Sequence, residues 1–488
     1  MMKEQFDRIL NNTDIIAKNY TDLTDAMANL ATWIKSFSSL PMQVDYIEFI
    51  PPEQEVEIVK SKWWQKLAAS FNAFIQSFFK NYDAVAGIDP NDPDAQETVV
   101  LDVWISRGKE WAQILKQLSE EEFSRTHNIE INMNILPSGQ LNASAGSVLL
   151  LALASGTAPD LAMGVASNLP VEYGMRGAIY DLSQFEDFEE ISGRFLDGIM
   201  IPFYFQEGYY GLPETMDFQC MYYRKDILNA YDLEIPSTWT DVYSKILPIL
   251  NNNGMDFYYA GGYNPFLFQH GGEFYKTDKN GVTQSAWDSA EAIAGFKQWT
   301  DLYTIYDVPV AADFYTRFRS GQIPIGMGGM DIYTKLVSAA PEISGKWGVA
   351  VIPGVVQEDG QVNRASGGST SAAVILKTCE KPDAAWEFLK WYTSAETQVS
   401  YANDIKAIIG PEAIWASANV EAFDVLPWDA ELEDVIKVYQ KWSKDAPNVI
   451  GGYIVGRYLE NARVAVVVEN EPYRPSLEKA VREINNEL

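Results

Sequence analysis

The chain has 488 residues, 47% of them hydrophobic and 21% charged, which is ordinary for a soluble globular protein. Its net charge of −30 disfavours nucleic acid and anionic membrane surfaces as partners, because both carry negative charge. Two cysteines and two histidines are too few for a disulfide framework, and they disfavour His-based zinc sites and His-dependent triads. We therefore predict no metal and no cofactor, and leave open whether Cys220 pairs with Cys379.

The first 97 residues differ from the rest of the chain in their pattern of apolar and polar residues. Residues 3–40 and 56–80 carry apolar residues at helical spacing, and the acidic, Pro-rich stretch 87–97 cannot continue a helix. We predict a helical extension over 1–86 and a linker over 87–97. The helix at 56–80 either packs on itself or on the main body, which we favour, or docks on a membrane surface. The start, MMKEQFDRIL, lacks the apolar stretch of a secretion signal, and no lipid-anchoring cysteine follows it.

From residue 98 the pattern alternates between strands and helices. TVVLDVWIS (98–106) reads as a buried strand, a helical pattern follows, and IEINMNIL (129–136) reads as a second strand. A further helical pattern at 141–156 leads to a third strand that begins in APDLAMG (158–164). This order predicts an α/β fold with a parallel sheet covered by helices.

Segments spread over residues 98–488 resemble the bacterial family 1 extracellular solute-binding proteins, the maltose-binding-protein-like class. The resemblance rests on the order and spacing of several stretches: ASGTAPDLA (154–162), GYYGLPETMDFQCMYYRKDIL (208–228), EIPSTWTDVYSKILPIL (234–250), FRSGQIPIGMGG (318–329), WGVAVIPGV (347–355), KPDAAWEFLKWYTSAETQ (381–398) and PSLEKAVREINNEL (475–488). It implies a two-lobed, periplasmic-binding-protein-like fold of type II. The expected division is first lobe at 98–210, second lobe at 211–312, a return to the first at 313–366, and the second again at 367–488.

The resemblance also implies a function. We expect the chain to be the extracellular solute-binding component of an ABC importer that closes around a sugar or oligosaccharide and does not act as an enzyme. The expected partners are a small carbohydrate and the importer permease. We further expect a monomer that is held at the membrane through a part outside this chain.

Candidate ligand-binding residues follow from predicted strand ends and from the resemblance. Trp104 and Ser106 close the first strand, where an aromatic ring could stack on a sugar or belong to the core. Asp160 either binds ligand or accepts hydrogen bonds from loop backbone. Asp217 matches the position of a carboxylate that grips sugar hydroxyls in maltose-type members, with Glu214 as the competing choice. The resemblance adds Gly164, Ser167, Asn168, Tyr263, Asp331, Tyr333, Gly367, Gly368 and Ser369, with Trp428 as a weaker candidate. Asp331 stands where maltose-type members have tryptophan, which disfavours maltose itself as the ligand.

Three other readings remain open. A glycoside hydrolase needs a suitably spaced pair of carboxylates, which 67 acidic residues could supply, although no eightfold βα repeat is visible. A binder of a cationic solute such as a polyamine would use Asp160, Asp217 and Asp331. A structural adhesin would be suggested only by the helical patterns at 3–80.

Overall fold

The computed structural model describes residues 84–85, 99–136, 141, 148–277, 283–410, 413–449 and 451–488. The chain divides into two compact units, 1–80 and 81–488, and every described residue lies in the second. The predicted helical extension and the linker at 87–97 therefore fall outside the described residues, except that Ala84–Val85 forms a short strand rather than a helix.

Two β-sheets organise the described unit. The first sheet has six strands in the order β1-β3-β2-β4-β16-β7. Its strands are β1 (Ala84–Val85), β2 (Val99–Ile105), β3 (Ile129–Ile135), β4 (Leu161–Ala166), β7 (Leu212–Met216) and β16 (Ser369–Ile375). β2 runs parallel to β3 and β4, whereas β16 lies antiparallel between β4 and β7, so β4 and β7 point the same way.

The second sheet has four strands in the order β13-β8-β12-β9. Its strands are β8 (Cys220–Arg224), β9 (Phe257–Tyr259), β12 (Ile325–Gly328) and β13 (Trp347–Ala350). β12 is parallel to β9, and β8 is antiparallel to both β12 and β13. Three short hairpins complete the described strands: β5 (Tyr204–Phe205) with β6 (Gly208–Tyr209), β10 (Tyr275–Thr277) with β11 (Thr283–Ser285), and β14 (Val355–Val356) with β15 (Val362–Asn363).

Helices cover both sheets and so define two lobes. Those of the first lobe are α1 (Lys109–Leu118), α2 (Arg125–His127), α3 (Val148–Ser155), α4 (Pro170–Met175), α5 (Phe188–Ser192), α6 (Asp197–Met200), α14 (Pro382–Tyr392), α15 (Ala395–Ile408) and α16 (Val420–Val425). Those of the second lobe are α7 (Lys225–Ala230), α8 (Trp239–Asp241), α9 (Leu247–Asn252), α10 (Asn264–Gln269), α11 (Ala290–Thr304), α12 (Phe314–Ser320), α13 (Met330–Ala339), α18 (Val455–Val467) and α19 (Tyr473–Asn485). The helix α17 (Ala430–Trp442) packs on β13 and also contributes to the core that continues into the first lobe. π-helical turns at Ser119–Ser124 and Val242–Ile246 extend α1 and α8, and short 3₁₀ turns lie at Leu182–Gln184, Ile201–Phe203, Pro341–Ile343 and Gly452–Ile454.

The alternation of side chains along the strands explains how each sheet buries two faces. In β8, Met221 and Tyr223 belong to the core of the second lobe, whereas Cys220 and Tyr222 face α12 and α13 and join the core that continues into the first lobe. On that face, a Cβ at Gly326 of β12 would come 2.7 Å from the Phe314 ring. Glycine is needed there because the helix packs too close for a side chain.

The structure corrects part of the predicted lobe boundaries. Strands β12 and β13 lie in the second sheet, so the assignment of 313–366 to the first lobe was wrong. β7 lies in the first sheet, and the chain crosses to the second lobe only at 217–219. β16, predicted for the second lobe, pairs with β4 and β7 in the first. Hydrogen bonding to distant segments, which no local sequence pattern reports, decides which sheet each of these strands joins.

The two cysteines do not form a disulfide. Cys220 in β8 and Cys379 beyond β16 are both buried free thiols. Burial raises the pKa of the Cys379 thiol to about 12, so it stays protonated and unreactive at neutral pH.

Candidate functional site

The carboxyl ends of the parallel strands in both sheets meet the segment that joins the lobes. In the first sheet, Ser106 follows β2, Ser167 follows β4 and Asp217 follows β7. In the second sheet, Ala260 follows β9 and Gly329 follows β12. Residues 217–219 link β7 directly to β8, so these two edges adjoin each other. Ligands of open α/β sheets bind outside such carboxyl ends, which makes this the candidate site. We call its two sides the first-lobe edge (106–108, 164–168, 217 and 368) and the second-lobe edge (219, 260–262 and 329–331).

Asp217 joins the two edges. Its backbone N–H donates to the Gly368 carbonyl at 2.7 Å, and its Oδ1 accepts from the N–H of Met330, the first residue of α13, also at 2.7 Å. A Cβ at Gly329 would come 2.7 Å from Oδ2, so glycine allows this close approach. The residue as a whole is solvent-exposed although its carboxylate is partly covered by protein, and the carboxylate keeps acceptor capacity for further hydroxyl or ammonium donors.

The electrostatic setting of Asp217 is negative. Desolvation by the surrounding protein raises the pKa of its carboxyl above the ordinary value. The Met330 N–H opposes that rise, and the nearby carboxylate of Asp331 adds to it. Asp331 is exposed in the first turn of α13, where its Oδ2 lies 2.8 Å from Lys335 Nζ. The structure therefore places Asp331 close enough to Asp217 for the two carboxylates to interact, and a ligand-binding role for either residue stays a prediction.

Backbone hydrogen bonds hold the chain crossings beside Asp217. Gly368 N–H donates to Asp445 Oδ1 at 3.0 Å. Ser366 N–H donates to the Trp442 carbonyl at 3.3 Å, and Lys444 N–H donates to the Ser366 carbonyl at 3.0 Å. Gly367 and Gly368 are required here because a Cβ at either position would overlap a neighbouring side chain. The backbone at Gly368 thus lies beside Asp217, and Ser369 pairs with Met216 at the start of β16; that this backbone approaches a ligand stays a prediction.

The first-lobe edge gathers the predicted residues of β2 and β4. Ser106 N–H donates to the Met163 carbonyl at 3.0 Å, so the ends of β2 and β4 are bonded. Gly164 has φ +77 and lies where Met163 and Gly164 together oppose Ala373 of β16, a β-bulge that needs glycine. Beyond this bulge, Ser167 is half-buried and Asn168 is exposed.

Glu214, the competing choice to Asp217, does not face the edge. Its side chain is fully buried, and its Oε2 accepts from Gly164 N–H at 2.5 Å. Its Oε1 accepts from the Tyr392 hydroxyl at 3.0 Å and lies 2.9 Å from Arg107 Nη2. Burial by itself lowers the pKa of the Arg107 guanidinium, but the Glu214 carboxylate outweighs it, so the pKa is raised overall. A residue enclosed in this way cannot contact a ligand directly, which corrects its predicted role.

Two other predicted ligand residues are buried or face away. Tyr263 is 1% exposed, packs in the core of the second lobe and donates its hydroxyl to the Ala292 carbonyl at 2.6 Å, so it cannot stack on a ligand. Asp160 precedes β4 at the opposite edge of the sheet, where its Oδ2 accepts from Asp102 N–H at 2.9 Å. That is the backbone-capping role that the sequence analysis held open.

The remaining aromatic candidates also lie apart from the edges. Trp104 is half-buried within β2 and packs against a small apolar cluster of the first lobe. Tyr333 is 6% exposed and donates its hydroxyl to Asp429, while Trp428 donates its indole N–H to the Phe423 carbonyl at 2.7 Å. Tyr333 and Trp428 line a separate cavity of about 200 Å³, and the structure does not bring them together with Asp217.

Sequence reasoning missed several residues at or beside the site. Arg107 directly follows Ser106, and Gln219 precedes β8 on the crossing, so reading one or two residues past the strand ends would have found both. The Gln219 Oε1 is buried and has no hydrogen-bond partner in the described part of the chain. Asn448, which donates to the Ser167 carbonyl at 3.1 Å and to the Pro202 carbonyl at 2.8 Å, gave no local signal because chain folding alone brings it there.

In both α/β lobes, the carboxyl ends of the parallel strands lie beside the segment that crosses between the lobes. This arrangement is that of a two-lobed binding protein. The family model described as bacterial extracellular solute-binding protein matches residues 106–399, more than half of the chain. The chain therefore belongs to that family, whose members are binding proteins rather than enzymes. Among the described residues, no helix combines the length and the apolar composition needed to cross a membrane.

Individual relatives agree with this class. The chain is 22% identical over 299 residues to the maltotriose-binding protein of Pyrococcus abyssi, covering 60% of this chain and 62% of that one. It is 26% identical over 298 residues to the arabinooligosaccharide-binding protein of Halalkalibacterium halodurans, covering 58% and 61%. The chain thus spans about three fifths of the length of these relatives. The fold is similar to the maltose-binding periplasmic protein of Listeria monocytogenes in complex with maltose, with TM-score 0.63, 17% identity and coverage of 80% and 98%.

Proposed function

We propose that this protein is the sugar- or oligosaccharide-binding component of an ABC importer, which captures its ligand between the two lobes and does not convert it. The two relatives named above bind maltotriose and arabinooligosaccharides, which supports an oligosaccharide as the ligand. We also propose that the protein works outside the cell as a monomer, is held at the membrane, and delivers its ligand to a permease.

The observation that carries the proposal is the position of Asp217. Its carboxylate lies on the crossing between the lobes and already bonds α13 of the second lobe through Met330. A ligand hydroxyl that donates to this carboxylate would be held at the point where both edges meet. Because a ligand shifts a conformational equilibrium only by binding one state more tightly, such a contact would favour the closed arrangement of the lobes.

We assign the ligand contacts to polar groups on both edges. The first-lobe edge contributes Ser106, Ser167, Asn168, Asp217 and the backbone of Gly368, and the second-lobe edge contributes Gln219 and Asp331. Short polar side chains and backbone groups suit a ligand with many hydroxyls, which both donate and accept hydrogen bonds. Indole and phenol rings among the predicted residues lie elsewhere, so hydrogen bonding rather than stacking is expected to dominate the affinity.

A cationic solute such as a polyamine is the second candidate. It is favoured by the proximity of Asp217 and Asp331, because the Asp331 carboxylate disfavours ionisation of Asp217 and a bound ammonium would relieve that repulsion. The polyamine reading predicts binding that weakens with added salt, whereas binding of a neutral sugar should be nearly independent of salt.

Isothermal titration with maltotriose, arabinotriose and spermidine tests both candidates, with mass spectrometry of each sugar after incubation. Binding of a sugar without new products supports the proposal, binding of spermidine alone replaces the ligand, and sugar cleavage overturns the assignment as a non-enzyme. Asp217→Asn keeps an acceptor for Met330 N–H but removes the charge, and should weaken sugar binding at least about tenfold. Asp383→Asn, an exposed position in the first turn of α14, is the matched control and should bind as the unaltered protein does.

A further inference from the structure

We propose that the buried Arg107–Glu214 pair positions the first-lobe edge for ligand binding, although neither side chain is expected to contact the ligand. We call Arg107, Gly164, Glu214, Tyr392 and Trp415 the Glu214 cluster. Its effect on affinity rests on the function proposed above, whereas its effect on the conformation of the edge does not.

The contacts of Glu214 divide between two strands and a helix. Oε2 accepts from Gly164 N–H in β4 at 2.5 Å, and Oε1 accepts from the Tyr392 hydroxyl at the end of α14 at 3.0 Å. Oε1 also lies 2.9 Å from Nη2 of Arg107, just beyond β2. One carboxylate on β7 therefore fixes the separation of β2, β4 and β7 where all three reach the edge.

These contacts lie next to the residues assigned to the ligand. Arg107 directly follows Ser106, and Gly164 forms the bulge that precedes Ser167 and Asn168. The backbone at Gly164 is in the left-handed region, so its direction depends on the hydrogen bond that its N–H makes. If Glu214 loses its charge, its contacts with Arg107 and with the Gly164 N–H weaken. The backbone beside Ser106 and the backbone before Ser167 are then no longer held by one carboxylate.

The energetics of the cluster favour a functional reason for its presence. A buried ion pair often contributes no more stability than apolar residues of similar volume. Here Arg107 lies 4.3 Å from the centre of the Trp415 ring, and its buried Nε has no hydrogen-bond partner in the described part of the chain. A pair selected for stability alone would satisfy that donor, and departures from such rules concentrate at functional sites.

The test uses the whole protein and combines hydrogen–deuterium exchange with titration of maltotriose, at a temperature where each variant is folded. Glu214→Gln should speed exchange in peptides that contain Gly164 and Ser106, and weaken maltotriose binding, each by about tenfold. Asp226→Asn is the matched control. It removes the carboxylate partner of Arg224, another buried arginine, at the opposite edge of the second sheet. This variant should lower the melting temperature and leave both readouts unchanged.

The double variant Arg107→Met, Glu214→Gln separates positioning from stability. Removing both charges should recover the melting temperature while exchange at Gly164 stays fast and binding stays weak. If exchange and affinity recover together with the melting temperature, or if Glu214→Gln alone changes neither, the pair is purely structural and the proposal is wrong.

Two other results would still test the positioning role of Glu214. If the unaltered protein binds none of the sugars, the function proposed above fails, and the exchange rates at Gly164 still decide the positioning role. If Glu214→Gln does not fold, Tyr392→Phe removes a single hydrogen bond to Glu214 and should raise exchange at Gly164 by about threefold. Unchanged exchange in that variant would likewise count against the proposal.

Discussion

Replacing Gly368 by alanine should strain the crossing between the lobes and weaken ligand binding. A Cβ at this position would overlap the Tyr439 hydroxyl and come 2.8 Å from both the Asp217 carbonyl oxygen and the Tyr439 ring. Tyr439 cannot withdraw easily, because it is 5% exposed and stacks on Phe218 at 5.0 Å between ring centres. The strain must therefore move the backbone that bonds Asp217.

The expected size follows from these contacts. Overpacking of a filled site costs about 1–3 kcal/mol. For a unit running from Asn81 to Leu488, an unfolding entropy of about 2.1 cal/mol/K per residue converts that cost into a fall in Tm of about 1–3.5 °C. Gly368 also accepts from Asp217 N–H and donates to Asp445, so displacing it should weaken sugar binding by about threefold to tenfold.

A double-mutant cycle with Tyr439→Phe tests the reasoning by thermal melting and titration. The Tyr439 hydroxyl is buried without a hydrogen-bond partner in the described part of the chain, so Tyr439→Phe alone should be neutral or stabilise by up to about 1 kcal/mol. Combined with Gly368→Ala it should relieve part of the strain, with a coupling of at least about 0.5 kcal/mol. Strict additivity of the two changes would show that the overlap is not the cause.

Three further outcomes are expected. Tyr263→Phe should cost about 1 kcal/mol in a denaturant titration, through loss of the bond to Ala292, and should leave sugar affinity unchanged; weaker binding would restore its ligand role. Because the fold raises the pKa of Asp217, the ionised carboxylate is less favourable in the folded chain than in the unfolded one. Its ionisation therefore lowers the stability of the fold above the raised pKa. Below the ordinary pKa of an aspartate it has no effect, because both states then hold the proton. The stability of Asp217→Asn relative to the unaltered protein should therefore increase as pH rises from 3 to 7, and thermal melts of both proteins at each pH would check this trend. For Asp187, bonds from Lys390 and Trp386 outweigh burial and lower the pKa of the carboxyl. Its contribution is then full above the ordinary pKa and lost as pH falls through the lowered one, so Asp187→Asn should destabilise at pH 7 and destabilise less as pH falls below the ordinary pKa; equal melting curves at pH 7 would contradict this.

Local sequence predicted the elements and the residues that follow strand ends. The buried strand pattern in TVVLDVWIS placed β2 within one residue of its observed bounds, and the serine after it does lie on the first-lobe edge. Asp217 was chosen because its position matches a ligand-binding carboxylate in the family that the sequence resembles, and the structure places it on the crossing between the two sheets. Such features depend on spacing along the chain, which the sequence contains directly.

The sequence could not separate buried aromatic and acidic residues from those facing ligand. Glu214 was the competing choice to Asp217, and the resemblance implied a stacking role for Tyr263; nothing in the local sequence marked either side chain as buried. Their roles depend on what packs around them: an aromatic core encloses Tyr263, and Arg107 and Tyr392 enclose Glu214. Burial is a property of the assembled fold, so no local pattern reports it.

What the sequence determined by itself is the class of fold, the alternation of strands and helices, and the carboxylates available to a ligand. Only the tertiary structure decided which sheet β12, β13 and β16 join, because strand partners are chosen by hydrogen bonds between residues more than a hundred positions apart. It likewise decided that Asp217 would link the lobes while Glu214 would lie beneath the edge. Two carboxylates three residues apart differ in role because β7 turns one toward the protein interior and ends before the other.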